Sequence, residues 1–206
     1  MRSLTITILT AVSCLSLCAQ AQKGWKMRVD RSAEATDPDA PGPVRFVTEG
    51  KGFHATNPQA AVYWNPANTA SGEYTLKGTF TQLKPSSHTN YYGLVFGGSG
   101  LEGAQQKYLY FVVAQDGTWL LKRREGNSTQ DVQGYTPSPA VKKLDASGRS
   151  VNDLEVRVGA AKTDFVVNGT VVHSAPKSAG LKTDGVWGAR VNHALEVQID
   201  GLSVSK

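Results

Sequence analysis

Short runs of alternating apolar and polar residues, each closed by a turn signal, constrain the fold of this chain more than any other feature. Within residues 73–81, Leu76 and Phe80 lie on one side of an extended chain and the polar residues lie on the other. A period of two residues is that of a half-buried β-strand. The same alternation returns in residues 153–158 and 195–200. The sequence therefore predicts an all-β protein.

Two dipeptides predict tight hairpins between neighbouring strands. Asp116-Gly117 separates residues 108–115 from 118–124, and Asn168-Gly169 separates 164–167 from 170–173. Both supply the positive φ angles that a tight primed turn needs. With roughly a dozen strands and no helical period longer than about one turn, the chain reads as a sandwich or a barrel. The remaining predicted strands are Val44–Thr48, Ala61–Trp64, Tyr91–Phe96 and Val186–Val191.

The N-terminal residues predict export. Arg2 precedes an apolar stretch, residues 4–18, which ends in the small-x-small sequence Ala19-Gln20-Ala21. These are the three parts of a secretory signal peptide, and the stretch is shorter than the roughly 20 residues of a membrane span. We therefore expect residues 1–21 to be a signal peptide cleaved after Ala21, and the protein to be secreted or periplasmic.

Both cysteines, Cys14 and Cys18, lie inside this predicted signal peptide. Lipidation at one of them is the alternative, but Leu17 is bulky for the residue before a lipidated cysteine. The mature chain would then contain neither a disulfide nor a cysteine-ligated metal. Its four histidines show no ligand spacing, so we predict no metal and no cofactor.

The mature chain divides into a lead-in and one domain. Residues 22–43 are predicted as a Pro-rich lead-in, because proline lacks the amide donor that a central strand needs. Residues 44–206 form the predicted domain. Its basic residues are scattered, with runs only at Lys122-Arg123-Arg124 and Lys142-Lys143, so no nucleic-acid partner is predicted. No second apolar segment is long enough to span a membrane.

The order of motifs in the second half resembles a known superfamily. The series begins at Tyr92-Gly93-Leu94-Val95-Phe96, continues through Phe165-Val166-Val167-Asn168-Gly169 and closes with Gly185-Val186-Trp187-Gly188. It is similar to the concanavalin A-like lectin/glucanase superfamily, and within it to bacterial exported domains of the 3-keto-disaccharide hydrolase-like family. The resemblance implies a two-sheet antiparallel jelly-roll sandwich that meets sugars on its concave sheet or rim loops. Fold alone does not imply the chemistry.

The hairpin around Asp116-Gly117 carries the first candidate ligand site. Tyr108 and Tyr110 share one face of the first strand, and an aromatic shelf beside a guanidinium suits a sugar ring and its hydroxyls. The loop length decides which residues of the second strand join the tyrosines. A two-residue loop places Trp119 and Arg123 there, whereas a three-residue loop places Lys122 and Arg124 there instead.

Two further segments are candidate contacts at the rim of the sandwich. One is the polar stretch that ends in Asn90 and Tyr91, and the other is Arg190-Val191-Asn192-His193 at the end of a strand. Loops on a rigid scaffold often carry binding residues. The predicted ligand-binding residues are therefore Tyr108, Tyr110, Trp119, Arg123, Arg124, Asn90, Tyr91, Arg190, Asn192 and His193.

No pair of carboxylates in the sequence predicts catalysis. Asp153 and Glu155 share one face of a strand, but Arg157 stands where the glucanases of this superfamily carry a third acidic residue. We therefore expect a non-catalytic domain that binds an oligo- or polysaccharide. The alternatives are a glycoside or 3-keto-disaccharide hydrolase and a surface or periplasmic protein-interaction domain.

Overall fold

Fourteen strands and one short 3-10 turn make up the regular structure of the described residues in the computed structural model. The structure describes residues 23–33, 35–36 and 39–206, so the predicted signal peptide lies outside it. The strands are β1 (Lys26–Val29), β2 (Arg45–Glu49), β3 (Gly52–Asn57), β4 (Ala61–Ala70), β5 (Tyr74–Gln82), β6 (Tyr91–Ser99), β7 (Lys107–Ala114), β8 (Thr118–Glu125), β9 (Ser128–Pro137), β10 (Ser150–Val158), β11 (Lys162–Val167), β12 (Thr170–Pro176), β13 (Gly185–Val191) and β14 (Leu195–Ser205); the 3-10 turn is Lys177–Ala179.

The strands form two antiparallel sheets of seven. Sheet A has the order β1-β4-β13-β6-β7-β8-β9, and sheet B has the order β12-β11-β10-β5-β14-β3-β2. The apolar faces of the two sheets pack against each other, since both contribute to one buried cluster that includes Phe80, Phe111 and Phe165. The prediction of a two-sheet antiparallel jelly-roll sandwich is confirmed.

The alternation in the sequence positions the core as predicted. In β5, Tyr74, Leu76 and Phe80 are buried between the sheets, and in β10 the same holds for Leu154 and Val156. Full burial of such a side chain contributes roughly 1.5–3 kcal/mol. These strands therefore stabilise the sandwich through one face and expose the other.

The two hairpins differ in loop length. Asn168 and Gly169 form a two-residue loop with φ angles of 49° and 81°, and Val167 pairs with Thr170 across it. The β7–β8 loop has three residues, 115–117, and Gly117 has a φ of 88°. The three-residue alternative therefore holds for β7–β8.

Strand β1 lies inside the predicted lead-in and pairs with β4, so sheet A begins upstream of Val44. The sequence also does not predict strands β3 and β9, because their many polar residues leave no clear alternation. Among the described residues, no helix is long and apolar enough to cross a membrane.

The outer face of sheet A, which points away from sheet B, carries a second buried cluster that includes Tyr108, Tyr110 and Val112. Residues 30–33, 35–36 and 39–40 cross this face; we call them the crossing segment. Asp30 N donates to Ala60 O beside β4 (2.8 Å), and Ala33 N donates to Asn127 O in the β8–β9 turn (3.0 Å). The segment thus covers aromatic residues that would otherwise face water.

Candidate functional site

A pocket of about 290 Å³ lies between the crossing segment and the outer face of sheet A. The strands β6, β7, β8, β9 and β13 supply its floor and one wall. The crossing segment and the β3–β4, β5–β6 and β13–β14 loops supply the rest. Most of its described lining residues have aromatic or hydrogen-bonding side chains. The lining residues are Arg31, Ser32, Ala35, Thr36, Asp39, Ala60, Thr89, Asn90, Tyr91, Tyr110, Lys122, Thr129, Tyr135, Arg190, Asn192 and His193.

The floor of the pocket is Tyr110 with the guanidinium of Arg190 above it. The Arg190 carbon Cζ lies 5.0 Å from the centroid of the Tyr110 ring, within the range of a cation–π contact. Both side chains are buried, at 6% and 5% exposure. Burial raises the pKa of Tyr110, so its phenol is neutral at physiological pH.

Asp30 fixes the position of Arg190. Arg190 Nη1 lies 2.5 Å from Asp30 Oδ2 and donates to the Tyr108 hydroxyl at 2.6 Å, while Nη2 donates to Asp30 O at 3.0 Å. Arg190 Nε donates to Asn192 Oδ1 at 3.1 Å. Since a guanidinium has five N–H donors, one Nη2 proton is left for a ligand. Arg190 already has a carboxylate partner in Asp30, which it shares with Arg124, and these contacts orient its guanidinium at the floor of the pocket.

Tyr135 on β9 is the exposed aromatic ring of the site, at 67% exposure. Its ring centroid lies 5.6 Å from that of Tyr91, and Lys122 Nζ lies 5.7 Å from the Tyr135 centroid. Lys122 Nζ also pairs with Asp131 Oδ1 at 3.0 Å. Tyr91 is largely buried, its hydroxyl lies 2.6 Å from Thr118 Oγ1, and burial raises its pKa to about 12. The wall therefore presents rings and neutral hydroxyls.

Polar side chains from the β5–β6 and β13–β14 loops also line the pocket. Asn90 Nδ2 donates to Ser86 Oγ at 3.0 Å, which holds the amide at the end of the β5–β6 loop. His88 Nε2 lies 2.8 Å from His193 Nε2, so one ring donates to the other. His193 Nδ1 lies 3.7 Å from Asp39 Oδ1. These side chains can thus exchange hydrogen bonds with hydroxyl groups as donor and as acceptor.

The structure brings together six of the ten residues predicted to bind a ligand. They come from β6, β7, β13 and the adjoining loops, which are far apart in sequence. The six are Tyr110, Asn90, Tyr91, Arg190, Asn192 and His193.

The other four predicted residues lie outside the pocket. Tyr108 and Arg124 share the outer face with Tyr110, but both are buried beneath the crossing segment, where Tyr108 donates to Asp30 and Arg124 Nη2 lies 3.0 Å from Asp30 Oδ1. Trp119 packs in the core between the sheets, with its ring centroid 5.9 Å from that of Phe111. The two-residue-loop alternative, which placed Trp119 and Arg123 beside the tyrosines, is wrong because the three-residue loop turns both away.

The register explains this outcome. Tyr110 pairs with Lys122 and Tyr108 pairs with Arg124, so Lys122 and not Arg123 joins the tyrosine face. Arg123 borders a separate cleft at the end of β7 and β8, whose lining also includes Tyr108 and Arg124. The sequence pattern does not mark Tyr135, Arg31 or Asp39 as ligand-binding residues. Tyr135 stands in a polar strand that shows no alternation, and the other two reach the site through the irregular crossing segment.

The carboxylates Asp153 and Glu155 do not lie at this pocket. They lie on the outer face of sheet B, where Asp153 accepts from Thr79 Oγ1 at 2.6 Å and Glu155 accepts from Arg157 Nε at 2.8 Å. Among the described residues that line the pocket, Asp39 is the one carboxylate, and its Oδ1 lies 3.1 Å from Arg31 Nη1. Within the part of the chain that the structure describes, no group of three or more His, Asp or Glu residues could hold a metal ion.

No protein-family model matches this chain, and no curated protein matches it. Solved structures of similar fold do exist. The chain is similar to the carbohydrate-binding module CBM66 from Bacillus subtilis, with a TM-score of 0.65 and 11% identity over 89% of this chain and 96% of that chain. It is also similar to a protein of unknown function with a galectin-like fold from the same organism, with a TM-score of 0.60 and 14% identity over 88% and 89% of the two chains.

A third similar structure is an enzyme. It is the GH16 protein of a Bacteroides ovatus mixed-linkage glucan locus, in complex with its product, with a TM-score of 0.60 and 6% identity over 91% of this chain and 97% of that chain. Identities this low indicate a shared fold and nothing finer. The resemblance to the concanavalin A-like superfamily is thereby confirmed as a fold, whereas the narrower resemblance to 3-keto-disaccharide hydrolase-like domains stays a prediction.

Proposed function

We propose that this protein is an exported, non-catalytic carbohydrate-binding sandwich whose pocket holds a neutral saccharide. The observation that carries the proposal is the exposed ring of Tyr135, which lines one pocket together with Lys122 and the amides of Asn90 and Asn192. The C–H face of a sugar packs on an aromatic ring, and its hydroxyls exchange hydrogen bonds with amides, amines and phenols. Its volume of about 290 Å³ lies near the lower end of the range of small-ligand sites, about 300–1,000 Å³.

The charge pattern of the pocket supports a neutral ligand. Lys122 pairs with Asp131, Arg190 pairs with Asp30, and Arg31 pairs with Asp39. Each of these cations therefore has a carboxylate partner, although Arg190 shares Asp30 with Arg124. An anionic ligand would have to compete with these partners, so it would gain less than at an unpaired cation. Hydroxyl groups, in contrast, can accept hydrogen bonds from the N–H groups that do not take part in these ion pairs.

The carboxylate content of the described pocket lining fits a binding site better than the active site of a hydrolase. A retaining glycosidase needs two carboxyl groups about 5 Å apart on either side of the scissile bond, and an inverting one needs them about 6.5–9.5 Å apart. Asp39 is the one carboxylate among the described lining residues and is engaged by Arg31. The carbohydrate-binding module among the structures of similar fold is consistent with binding alone.

Calorimetric titration with a panel of neutral oligosaccharides tests the proposal. We expect at least one member to bind the wild-type domain with a Kd of about 1 mM or tighter, which corresponds to about −4 kcal/mol. Tyr135→Ala should weaken that binding roughly tenfold, because it removes the stacking ring. Val171→Ala is the matched control, since Val171 is also exposed but lies on sheet B. If no neutral glycan binds, or if both variants bind alike, the proposal is wrong and the protein-interaction alternative gains support.

A further inference from the structure

A second cleft, of about 420 Å³, lies where the β1–β4 side of sheet A meets the β2–β3 side of sheet B. It shares no described lining residue with the pocket under the crossing segment. Sheet A contributes the residues before β1 and part of β4 and β13, and sheet B contributes β3, β14 and the β2–β3 turn. Its polar and aromatic lining includes Trp25, Trp187, Asn65, Asn68, Lys23 and Lys51. We call it the edge cleft.

Irregular strand pairing builds the edge cleft. Val186 on β13 pairs with Thr69 of β4, but Gly188 pairs with Trp64, so residues 65–68 leave the ladder opposite Trp187. A second irregularity lies in β14, between Asp200 and Ser203. Bulges re-aim side chains and are common beside functional sites. Two of them meet at this cleft, and the first carries Asn65 and Asn68 to its lining.

Two tryptophans supply aromatic surface that is held from behind. The ring centroid of Trp25 lies 5.6 Å from that of Phe46 and 4.6 Å from that of Phe53. Trp187 packs against the core between the sheets. Both indoles are half-buried and line the cleft, so the core fixes one side of each ring and leaves the rest available. Aromatic groups held in this way lose little entropy when a sugar ring packs on them.

The charge of the edge cleft differs from that of the pocket. Lys23 and Lys51 are exposed and form no ion pair with the described residues. No carboxylate is among the described residues that line the cleft. The nearby Asp200 accepts a hydrogen bond from Gln198 Nε2 at 3.2 Å, on the outer face of sheet B. The cleft therefore offers two uncompensated cations beside two aromatic rings and two amides.

We propose that the edge cleft is a second saccharide site and that it takes an acidic saccharide, a chain of uronic-acid residues. The tryptophans would contact the sugar rings, Asn65 and Asn68 would bond hydroxyls, and Lys23 and Lys51 would pair with the carboxylates. The site does not depend on occupancy of the pocket under the crossing segment, so either proposal can fail alone.

Titration of the protein with a galacturonate hexamer and with a neutral galactose oligomer of equal length tests this site. Binding is followed by tryptophan fluorescence and by calorimetry. We expect the uronate to bind with the tighter affinity, and the double variant Lys23→Gln/Lys51→Gln to weaken it about three- to tenfold, because each exposed charge pair contributes a modest free energy. Trp187→Ala should reduce the fluorescence change, with Trp25 still reporting, and weaken binding by a similar factor.

The matched control removes the same charge elsewhere. Lys77→Gln/Lys162→Gln also deletes two exposed lysines, both on sheet B, and should leave uronate binding unchanged. Because Trp187 packs on the core, the lysine variants keep the test valid if Trp187→Ala does not fold. Absence of uronate binding, or an equal loss in the control, overturns the proposal. A loss caused by Tyr135→Ala also overturns it, because the uronate would then occupy the pocket of the proposed function.

Discussion

Arg190 Nη1, on β13, lies 2.5 Å from Oδ2 of Asp30, which is 160 residues earlier in the chain. This ion pair connects the crossing segment to sheet A. Arg124 Nη2 reaches the other carboxylate oxygen at 3.0 Å, and Tyr108 donates to Oδ2. Asp30 is therefore a counter-charge that two buried guanidinium groups share. It determines both where the crossing segment lies and how Arg190 is oriented at the floor of the pocket.

Replacement of Asp30 should destabilise the protein severely. Asp30→Asn leaves the buried guanidinium groups of Arg190 and Arg124 without a counter-charge, and breaking a buried ion pair from one side costs about 3–5 kcal/mol. Glu102→Gln is the control, because its pair with Lys26 is exposed on both sides (45% and 64%) and is worth about 1 kcal/mol at most. Urea unfolding gives both values. Equal free energies of unfolding for the two variants would refute the role given to Asp30.

The same carboxylate predicts a loss of stability in acid. Burial alone would raise the pKa of Asp30, but Arg190, the Tyr108 hydroxyl and Arg124 outweigh burial and hold the pKa below its ordinary value of 3.8. The folded state therefore gains stability from ionised Asp30 above that pH. The gain is lost as the pH falls from 3.8 towards the lower folded-state pKa.

Free energies of unfolding measured between about pH 5 and pH 2 check this prediction. The wild type should lose more stability over the acid part of the range than Asp30→Asn, whose side chain does not titrate. Parallel curves would mean that other carboxylates account for the acid sensitivity.

Trp119 and Tyr135 should separate stability from binding. Trp119 is buried at 2% exposure between the sheets, so Trp119→Ala should lower the free energy of unfolding by about 3–5 kcal/mol and leave the affinity of the folded fraction unchanged. Tyr135→Ala should weaken binding but change the free energy of unfolding by less than about 0.5 kcal/mol, as is usual for exposed positions. Calorimetry and denaturant unfolding of both variants measure the four quantities. A direct binding defect in folded Trp119→Ala would contradict the observed register.

The β11–β12 turn offers a test of backbone conformation. Asn168 has a φ of 49°, and its amide donates to Ala140 O and to Asn152 Oδ1, both at 2.8 Å. Asn168→Gly loses these bonds but keeps the conformation, whereas Asn168→Ala also has to bear the left-handed backbone, at an extra cost of about 1 kcal/mol. Thermal unfolding should rank the wild type above the Gly variant and the Gly variant above the Ala variant. An Ala variant more stable than the Gly variant would count against this account.

Local patterns predicted most of the sandwich. The alternation in β5 and β10 placed Leu76, Phe80 and Leu154 in the core, and Asn168-Gly169 specified a two-residue turn whose length follows from the positive φ of both residues. These features depend on neighbours in the chain and on a period of two. They can therefore be inferred without knowledge of the tertiary fold.

The candidate site was only partly predictable, because its remaining features depend on distant contacts. Asp116-Gly117 is compatible with two loop lengths. A loop that is longer by one residue shifts the register, so that Lys122 and not Trp119 lies on the face of Tyr108 and Tyr110. Nothing near Asp30 in the sequence indicates Arg190, and β9 places Tyr135 at the pocket without any alternation to mark it as a strand. Such residues become visible only once the sheets are assembled.

Amide chemical-shift mapping with the best-binding neutral saccharide tests the central claim, that the sugar occupies the pocket between the crossing segment and sheet A. The largest shifts should fall on Asn90, Tyr91, Tyr135, Asn192 and His193, which line that pocket. They should become much smaller in Tyr135→Ala at the same ligand concentration, because that variant binds roughly tenfold more weakly. Shifts confined to the outer face of sheet B, or unchanged by Tyr135→Ala, would contradict the account.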